Sequence, residues 1–105
     1  MLLLSEKDKM DSYRLSHLAA KDFEHIFDYG IDNFGLVKAL EYQHALKKRF
    51  NDIAAQPQLY PAVEHIRKGY RKSVFGSHSI YYKQENGVVL IMRVLGQQDL
   101  TLAFD

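Results

Sequence analysis

The chain has 105 residues, 47 % of them hydrophobic and 26 % charged, which is the balance of one globular domain and excludes a disordered chain. With 14 Lys and Arg against 13 Asp and Glu, the net charge of +1 excludes nucleic-acid binding driven by overall charge, so any electrostatic role requires local clustering. The absence of cysteine excludes disulfides, thiolate catalysis and cysteine zinc sites, and it fits a cytoplasmic location.

The first residues have no predicted function. Residues 1–4 are apolar, but residues 5–9 are polar or charged, so the apolar run is too short for a signal peptide or a membrane span. We therefore predict no membrane association and treat residues 1–10 as a leader or extension without an assigned role.

The first half predicts a short strand followed by two helices. Residues 11–15 alternate as a strand does, and Ser16 follows as the expected helix N-cap. Apolar residues recur at helical spacing over residues 19–30 and again over residues 36–53, with a break at residues 33–35. Two prolines end the second stripe, so the pattern predicts an antiparallel helical hairpin.

The last third predicts three strands. Residues 70–75, 78–84 and 88–95 are rich in aromatic and β-branched residues, and Gly76-Ser77 and Asn86-Gly87 between them suit two-residue turns. The order β-α-α-β-β-β predicts an α+β domain with the hairpin packed on one face of a small, mainly antiparallel sheet. The pattern leaves open which edge of the sheet the first strand joins.

The two turns also predict a register. Arg71 should pair with Tyr82, Ser73 with Ile80, Tyr82 with Ile91, and Ile80 with Arg93. Alternation then gives one face with Arg71, Ser73, His78, Ile80, Tyr82 and Arg93, and another with Tyr70, Lys72, Val74, Tyr81, Leu90, Met92 and Val94. We expect the second face to meet the helices, because it has an unbroken apolar row and because an unpaired buried Arg93 would be costly. Arg71 and Arg93 would then lie on the open side.

One set of residues, spread in order over residues 11–98, carries a resemblance to a known family. The set is Tyr13-Arg14-Leu15-Ser16, Ala19, Asp22-Phe23, Ile26, Phe34-Gly35, Ala39, Tyr42, Ile66-Arg67, Gly69-Tyr70-Arg71, Ser77-His78, Ile80, Tyr82 and Ile91 with Arg93-Val94-Leu95. It resembles the ParE toxins of the ParE/RelE superfamily of bacterial toxin–antitoxin systems. The chain departs from the family where Phe34 replaces a common tryptophan and where residues 96–99 replace a histidine-containing ending. Residues 99–105 are treated as a short tail.

The resemblance implies a RelE-like fold and the toxin of a type II system, of the kind that stabilises plasmids. Such a toxin binds and poisons DNA gyrase and is neutralised by a cognate, ParD-like antitoxin, without enzymatic activity or a cofactor. Two alternatives stay open: a RelE-like ribosome-dependent mRNA endonuclease, and an inactive member that only binds its antitoxin. A helical hairpin on a sheet should also leave a groove for an amphipathic partner helix, and the sheet an edge for strand addition.

Four residues are predicted to contact the target: Arg71, Arg93, Lys72 and His78. Both arginines could instead cover apolar neighbours with their stems, and His78 is more simply a strand histidine beside a turn than a catalytic group. RelE-like nucleases usually have an acid–base residue after the last strand. Residues 101–105 hold no histidine or tyrosine, which favours binding over cleavage.

The remaining polar clusters carry no predicted site. Residues 47–49 read as a solvated helix face, and the adjacent Tyr81 and Tyr82 must point to opposite faces, so they form no stacking platform for bases. We therefore predict no direct sequence-specific nucleic-acid binding. No metal site is expected, because ligand spacing is missing for the other histidines, which are His17, His25, His44 and His65.

Overall fold

The computed structural model describes residues 12–96. In chain order the elements are β1 (Tyr13–Leu15), α1 (His17–Phe34), α2 (Leu36–Ala55), a 3-10 turn (Pro57–Leu59), β2 (Arg71–Phe75), β3 (His78–Glu85) and β4 (Val88–Leu95). The predicted β-α-α-β-β-β order is confirmed, and so is the α+β class. The proposed leader, residues 1–10, and the proposed tail, residues 99–105, lie outside the described residues.

Ser16 fixes the start of α1 and also joins it to the sheet. Its hydroxyl accepts a hydrogen bond from the Ala19 amide at 3.0 Å, as the predicted N-cap should. The same hydroxyl donates to the Met92 carbonyl oxygen at 2.8 Å, and the Ser16 amide donates to the Ile91 carbonyl oxygen at 2.9 Å. The N-cap of the first helix is therefore hydrogen-bonded to β4.

The two helices are separated by a single residue, Gly35. Its φ of 89° and ψ of 165° lie in a region that residues with a side chain rarely adopt. Asn33 and Phe34 were predicted to belong to the break, but α1 continues through both of them. One glycine is enough to reverse the chain, so the hairpin is tighter than the sequence suggested.

The strands form one sheet in the order β1-β4-β3-β2. β1 runs parallel to β4, with Arg14 opposite Leu90, and the other neighbours are antiparallel. The first strand therefore joins the sheet beside the last one. Neither helix within residues 12–96 has the length and apolar character that crossing a membrane requires.

The predicted register is confirmed for β2 with β3 and for one end of β3 with β4. Arg71 pairs with Tyr82, and Tyr82 pairs with Ile91. Ile80, however, pairs with Val94 and not with Arg93, because the register shifts between Tyr81 and Tyr82. The shift leaves one extra residue in β4, as in a β-bulge.

The helices cover the face that was predicted to be open. Ile80, Tyr82 and Ile91 are fully buried and pack in one cluster with Leu46 and Phe50 of α2. The prediction that Leu90, Met92 and Val94 form one apolar row facing the helices is wrong. The bulge turns Val94 to the helix side, while Leu90 and Met92 lie on the other side of the sheet, here called the back face.

Part of the back face has a small core of its own. Val63, Tyr70, Tyr81 and Leu95 are buried together, and Ile66 and Met92 pack against them. The segment before β2 follows the β2 edge, since the Lys72 amide donates to the Pro61 carbonyl oxygen at 3.0 Å. That contact occupies part of the edge that could have taken an added strand.

Candidate interaction surfaces

Arg93 forms an internal ion pair with α1. Its Nε lies 2.8 Å from Asp22 Oδ2 and one terminal nitrogen lies 2.9 Å from Oδ1, while the Val94 amide donates to Oδ2 at 2.9 Å. The two side chains are only 15 % and 13 % exposed. The hydrogen bonds to Asp22 raise the pKa of Arg93. The prediction that Arg93 lies on an open face is wrong, because Asp22 supplies the partner that the sequence argument assumed to be missing.

Arg71 also lies on the helix-covered face. One of its terminal nitrogens donates to the Tyr60 carbonyl oxygen at 2.7 Å, and its strand partner is Tyr82. The Tyr82 hydroxyl donates to the Pro57 carbonyl oxygen. Burial raises the pKa of Tyr82 to about 12, although the nearby Arg71 charge lowers it in part. The predicted outward position of Arg71 is therefore wrong as well.

The other two predicted contact residues lie apart from these arginines and from each other. Lys72 is partly exposed on the back face, opposite Tyr81. His78 is near the β2–β3 turn, and its Nδ1 lies 2.6 Å from the Tyr42 hydroxyl of α2. The four residues therefore form no common surface. Whether each of them contacts a target stays a prediction.

Burial shapes the His78–Tyr42 pair. Burial lowers the pKa of His78 and raises the pKa of Tyr42, so it favours the neutral form of both groups. The Tyr42 hydroxyl also donates to the Phe75 carbonyl oxygen at 3.3 Å. Gly76, with a φ of +57°, makes room for the pair, because a Cβ at that position would lie 2.9 Å from the Tyr42 hydroxyl. The turn glycine is thus needed for space as well as for conformation.

Beside this pair, α1 and α2 enclose an apolar groove of about 400 Å³. Its lining is mainly aromatic and aliphatic, with a few polar groups at one end: Phe23, Ile26, Phe27, Tyr29, Gly30, Phe34, Lys38, Ala39, Tyr42, Gln43, Leu46, Ser77 and His78. The helices can approach closely because Gly30 faces Ala39, where an added Cβ would lie 3.2 Å from the Ala39 Cβ. A groove of this kind accepts apolar side chains of a partner.

Exposed apolar side chains lie near the hairpin turn, here called the hairpin tip: Tyr29, Phe34, Leu36, Val37 and Leu40. Two of them, Tyr29 and Phe34, also line the groove. Phe34 is 66 % exposed and Val37 is 69 % exposed. Isolated exposed apolar residues are ordinary, but Tyr29 and Phe34 contact each other at the groove, with ring centroids 6.4 Å apart, and such a pair beside an apolar groove is suited to contact with a partner. The sequence analysis had assigned Phe34 to the break between the helices, and helical periodicity did not distinguish core residues from those of a docking surface.

Arg49 is a structural residue that the sequence analysis missed. One of its terminal nitrogens donates to the buried Ser73 hydroxyl and to the Val74 carbonyl oxygen, both at 2.9 Å. Its guanidinium also lies 5.0 Å from the Phe75 ring centroid and 5.8 Å from that of Tyr60. The prediction of a solvated face for residues 47–49 is therefore wrong at Arg49, while Lys47 and Lys48 are exposed.

No metal-binding arrangement occurs among residues 12–96, where no group of three His, Asp or Glu side chains could hold an ion. The described surfaces are thus an apolar groove between the helices and the exposed hairpin tip. Both are suited to binding other macromolecules.

The sequence matches a family model described as "ParE toxin of type II toxin-antitoxin system, parDE" over residues 13–100. The chain belongs to the ParE toxin family. Toxin ParE1 of Mycobacterium tuberculosis (strain ATCC 25618 / H37Rv) is 36 % identical over 87 residues, which cover 82 % of this chain and 89 % of that toxin. Toxin ParE1 of Caulobacter vibrioides (strain ATCC 19089 / CIP 103742 / CB 15) is 37 % identical over 89 residues, covering 84 % and 91 %.

The fold of the ParE family is also found in a solved structure, described as "Chromosomal ParDE TA system from P. aeruginosa". It superposes with a TM-score of 0.74 and covers 86 % of this chain and 99 % of that chain, at 17 % sequence identity. At this identity the likeness establishes the fold alone. The predicted family is confirmed, and so is the predicted α+β arrangement of a helical hairpin on one face of a small, mainly antiparallel sheet.

Proposed function

We propose that this ParE family member acts by binding and poisoning DNA gyrase, and that a cognate antitoxin neutralises it by docking in the groove between α1 and α2. Family membership supports the first part, since the resemblance implies gyrase as the target. The observation that carries the second part is the apolar groove with the exposed hairpin tip beside it.

The groove favours an amphipathic helix as the antitoxin segment. Its apolar walls would take a row of large side chains, and Lys38 and Gln43 at its border could pair with polar groups of the same helix. Free toxin would leave Phe34 and Val37 in water, which gives a thermodynamic reason for a tight complex.

The dispersal of basic and proton-transferring groups supports binding over catalysis. Cleavage of a phosphodiester needs cations and acid–base groups at one position. In the described part of the chain, Arg93 is paired with Asp22, Arg71 with the Tyr60 carbonyl, and His78 with Tyr42 at the border of the groove. We therefore favour a non-enzymatic toxin over the ribosome-dependent endonuclease.

The test uses purified protein, made together with its antitoxin and then separated from it. With purified gyrase and supercoiled plasmid, the toxin alone should inhibit supercoiling and accumulate cleaved DNA, and equimolar antitoxin should reverse both effects. Unchanged gyrase together with cleaved mRNA in a translation extract would instead support the nuclease. Antitoxin binding without either effect would identify an inactive member.

A further inference from the structure

The back face carries basic side chains on either side of an apolar centre. Arg14 of β1 and Lys83 of β3 both lie opposite Leu90 of β4, so the three residues form one row across the sheet. Two strand spacings separate the two cations by roughly 10 Å between Cα atoms. Arg14 is exposed, and Leu90 and Lys83 are partly exposed.

Three more cations border this row. Lys72 lies opposite Tyr81 on the same face, and the exposed Arg67 and Lys68 belong to the segment that packs on the back face. Glu85 and Glu64 are the acidic residues nearby: Glu85 pairs with Lys83 at 3.5 Å, and Glu64 accepts a hydrogen bond from the Gly69 amide at 3.0 Å. Cations therefore outnumber acids on this side of the sheet.

Acidic residues prevail in α1 but not in α2. α1, which lies on the other side of the sheet, contains one lysine against Asp22, Glu24, Asp28 and Asp32. α2, which packs on the same side as α1, holds four cationic residues against Glu41 and Asp52, so the two helices together carry only one net negative charge. The basic excess of the back face, next to a helical layer of nearly balanced charge, orients an acidic partner toward the back face.

The apolar centre favours a protein over a nucleic acid. Leu90 and Met92 are partly exposed within the basic rim, and Val74 at the β2 edge is 60 % exposed. Protein interfaces combine an apolar centre with a polar rim, whereas nucleic-acid binding relies on many phosphate contacts. Contact between these apolar side chains and phosphate groups would contribute little binding free energy.

We propose that the back face, centred on Arg14, Leu90 and Lys83, is the docking surface for the toxin's protein target and binds an acidic surface with an apolar side chain at its centre. This inference rests on the proposed function. It replaces the sequence-predicted contact surface of Arg71 and Arg93 with a surface on the side of the sheet that the helices do not cover, and of the four predicted contacts it retains Lys72.

The test reverses the charges of the central pair and compares two double variants. Arg14→Glu/Lys83→Glu changes the back face, and Lys21→Glu/Lys48→Glu makes the same change of charge at exposed positions of the helices. We expect the first to raise the toxin concentration for half-inhibition of purified gyrase at least about tenfold, and the control to change it less than about threefold. Inhibition by the unaltered toxin should weaken with added salt, and more steeply than that by the back-face variant.

Binding of purified antitoxin shows that each variant is folded, because the groove lies on the other side of the sheet. Equal inhibition of gyrase by the two folded variants overturns the proposal. If the unaltered toxin leaves gyrase unaffected, the proposed target is wrong, and growth arrest on expression becomes the readout. Growth arrest lost only in the back-face variant would still support this surface, and arrest retained in it would overturn it.

The same purified proteins also test two other possible partners of the back face. Sedimentation that shows a dimer of the unaltered toxin and a monomer of Arg14→Glu/Lys83→Glu would assign the face to a second copy of the chain. Binding of mRNA that disappears in the same variant would assign it to nucleic acid. Either result contradicts docking of an acidic protein.

Discussion

The ion pair between Arg93 and Asp22 joins the last strand to the first helix through side chains that are largely shielded from water. A buried pair adds little net stability compared with apolar residues, but the loss of one partner leaves a charge without compensation. The Asp22 carboxylate accepts three hydrogen bonds, two from the Arg93 guanidinium and one from the Val94 amide.

Asp22→Ala should therefore lower the free energy of unfolding by about 3 kcal/mol, because it leaves the Arg93 guanidinium and the Val94 amide without their acceptor. Urea denaturation followed by circular dichroism measures the change. Asp28→Ala, at an exposed position of the same helix, should stay within about 0.5 kcal/mol. A similar small effect of both substitutions would contradict a structural role for the pair.

His78 predicts a dependence of stability on pH. Because its pKa in the folded protein lies below the ordinary value of 6.5, the unfolded chain binds more protons between the two values. Stability should thus rise with pH through this window, and fall as the solution is acidified through it. Melting temperatures measured from pH 5 to pH 7.5 should fall more steeply at acid pH for the unaltered protein than for His78→Gln. His44→Gln, at an exposed histidine, should behave like the unaltered protein.

At the scale of the elements, the fold depends on how α2 is joined to the edge of the sheet. Arg49 connects the helix with β2 through Ser73 and the Val74 carbonyl, and its flat guanidinium contacts two aromatic rings. A lysine cannot reproduce this arrangement, because its ammonium lacks the planar fork that donates and stacks at once.

Arg49→Lys should lower the free energy of unfolding by about 1–2 kcal/mol. The reciprocal substitution at the next residue, Lys48→Arg, is a matched control: the Lys48 side chain is 72 % exposed, and the change should be within about 0.5 kcal/mol. Denaturant titration of the two variants gives both numbers. If both variants had the same free energy of unfolding, Arg49 would be a solvent-exposed helix residue without a structural role, as the sequence predicted.

Sequence reasoning succeeded where a local signal decides the structure. Ser16 was identified as an N-cap from its residue type and its position, and the turns gave the pairing of Arg71 with Tyr82. It failed at the bulge in β4, because strict alternation of side chains does not allow for an extra residue. Val94, which follows the bulge, therefore lies on the opposite side of the sheet from Leu90 and Met92. It also assumed an unpaired Arg93, because Asp22 is 71 positions away in the chain.

For the whole molecule, the hairpin tip and the groove are the features that predict a partner. Tyr29→Asp/Phe34→Asp should weaken binding of the purified antitoxin at least about tenfold, because charged residues would replace apolar ones that line the groove and that the proposed complex would cover. Isothermal titration calorimetry measures the affinity. The control, Leu18→Asp/Leu59→Asp, introduces the same charges at exposed apolar positions away from the tip and should change it little. Equal losses in both variants would contradict the groove as the antitoxin site.

The parallel pairing of β1 with β4 sets the time at which the protein can become active. Among the strands within residues 12–96, the one made first needs the one made last as its neighbour and has no other partner there. During translation the sheet therefore cannot close until the ribosome has released residues 88–95. A half-made chain cannot yet harm the cell that is synthesising it, and an antitoxin already present meets the toxin at the moment its fold is completed.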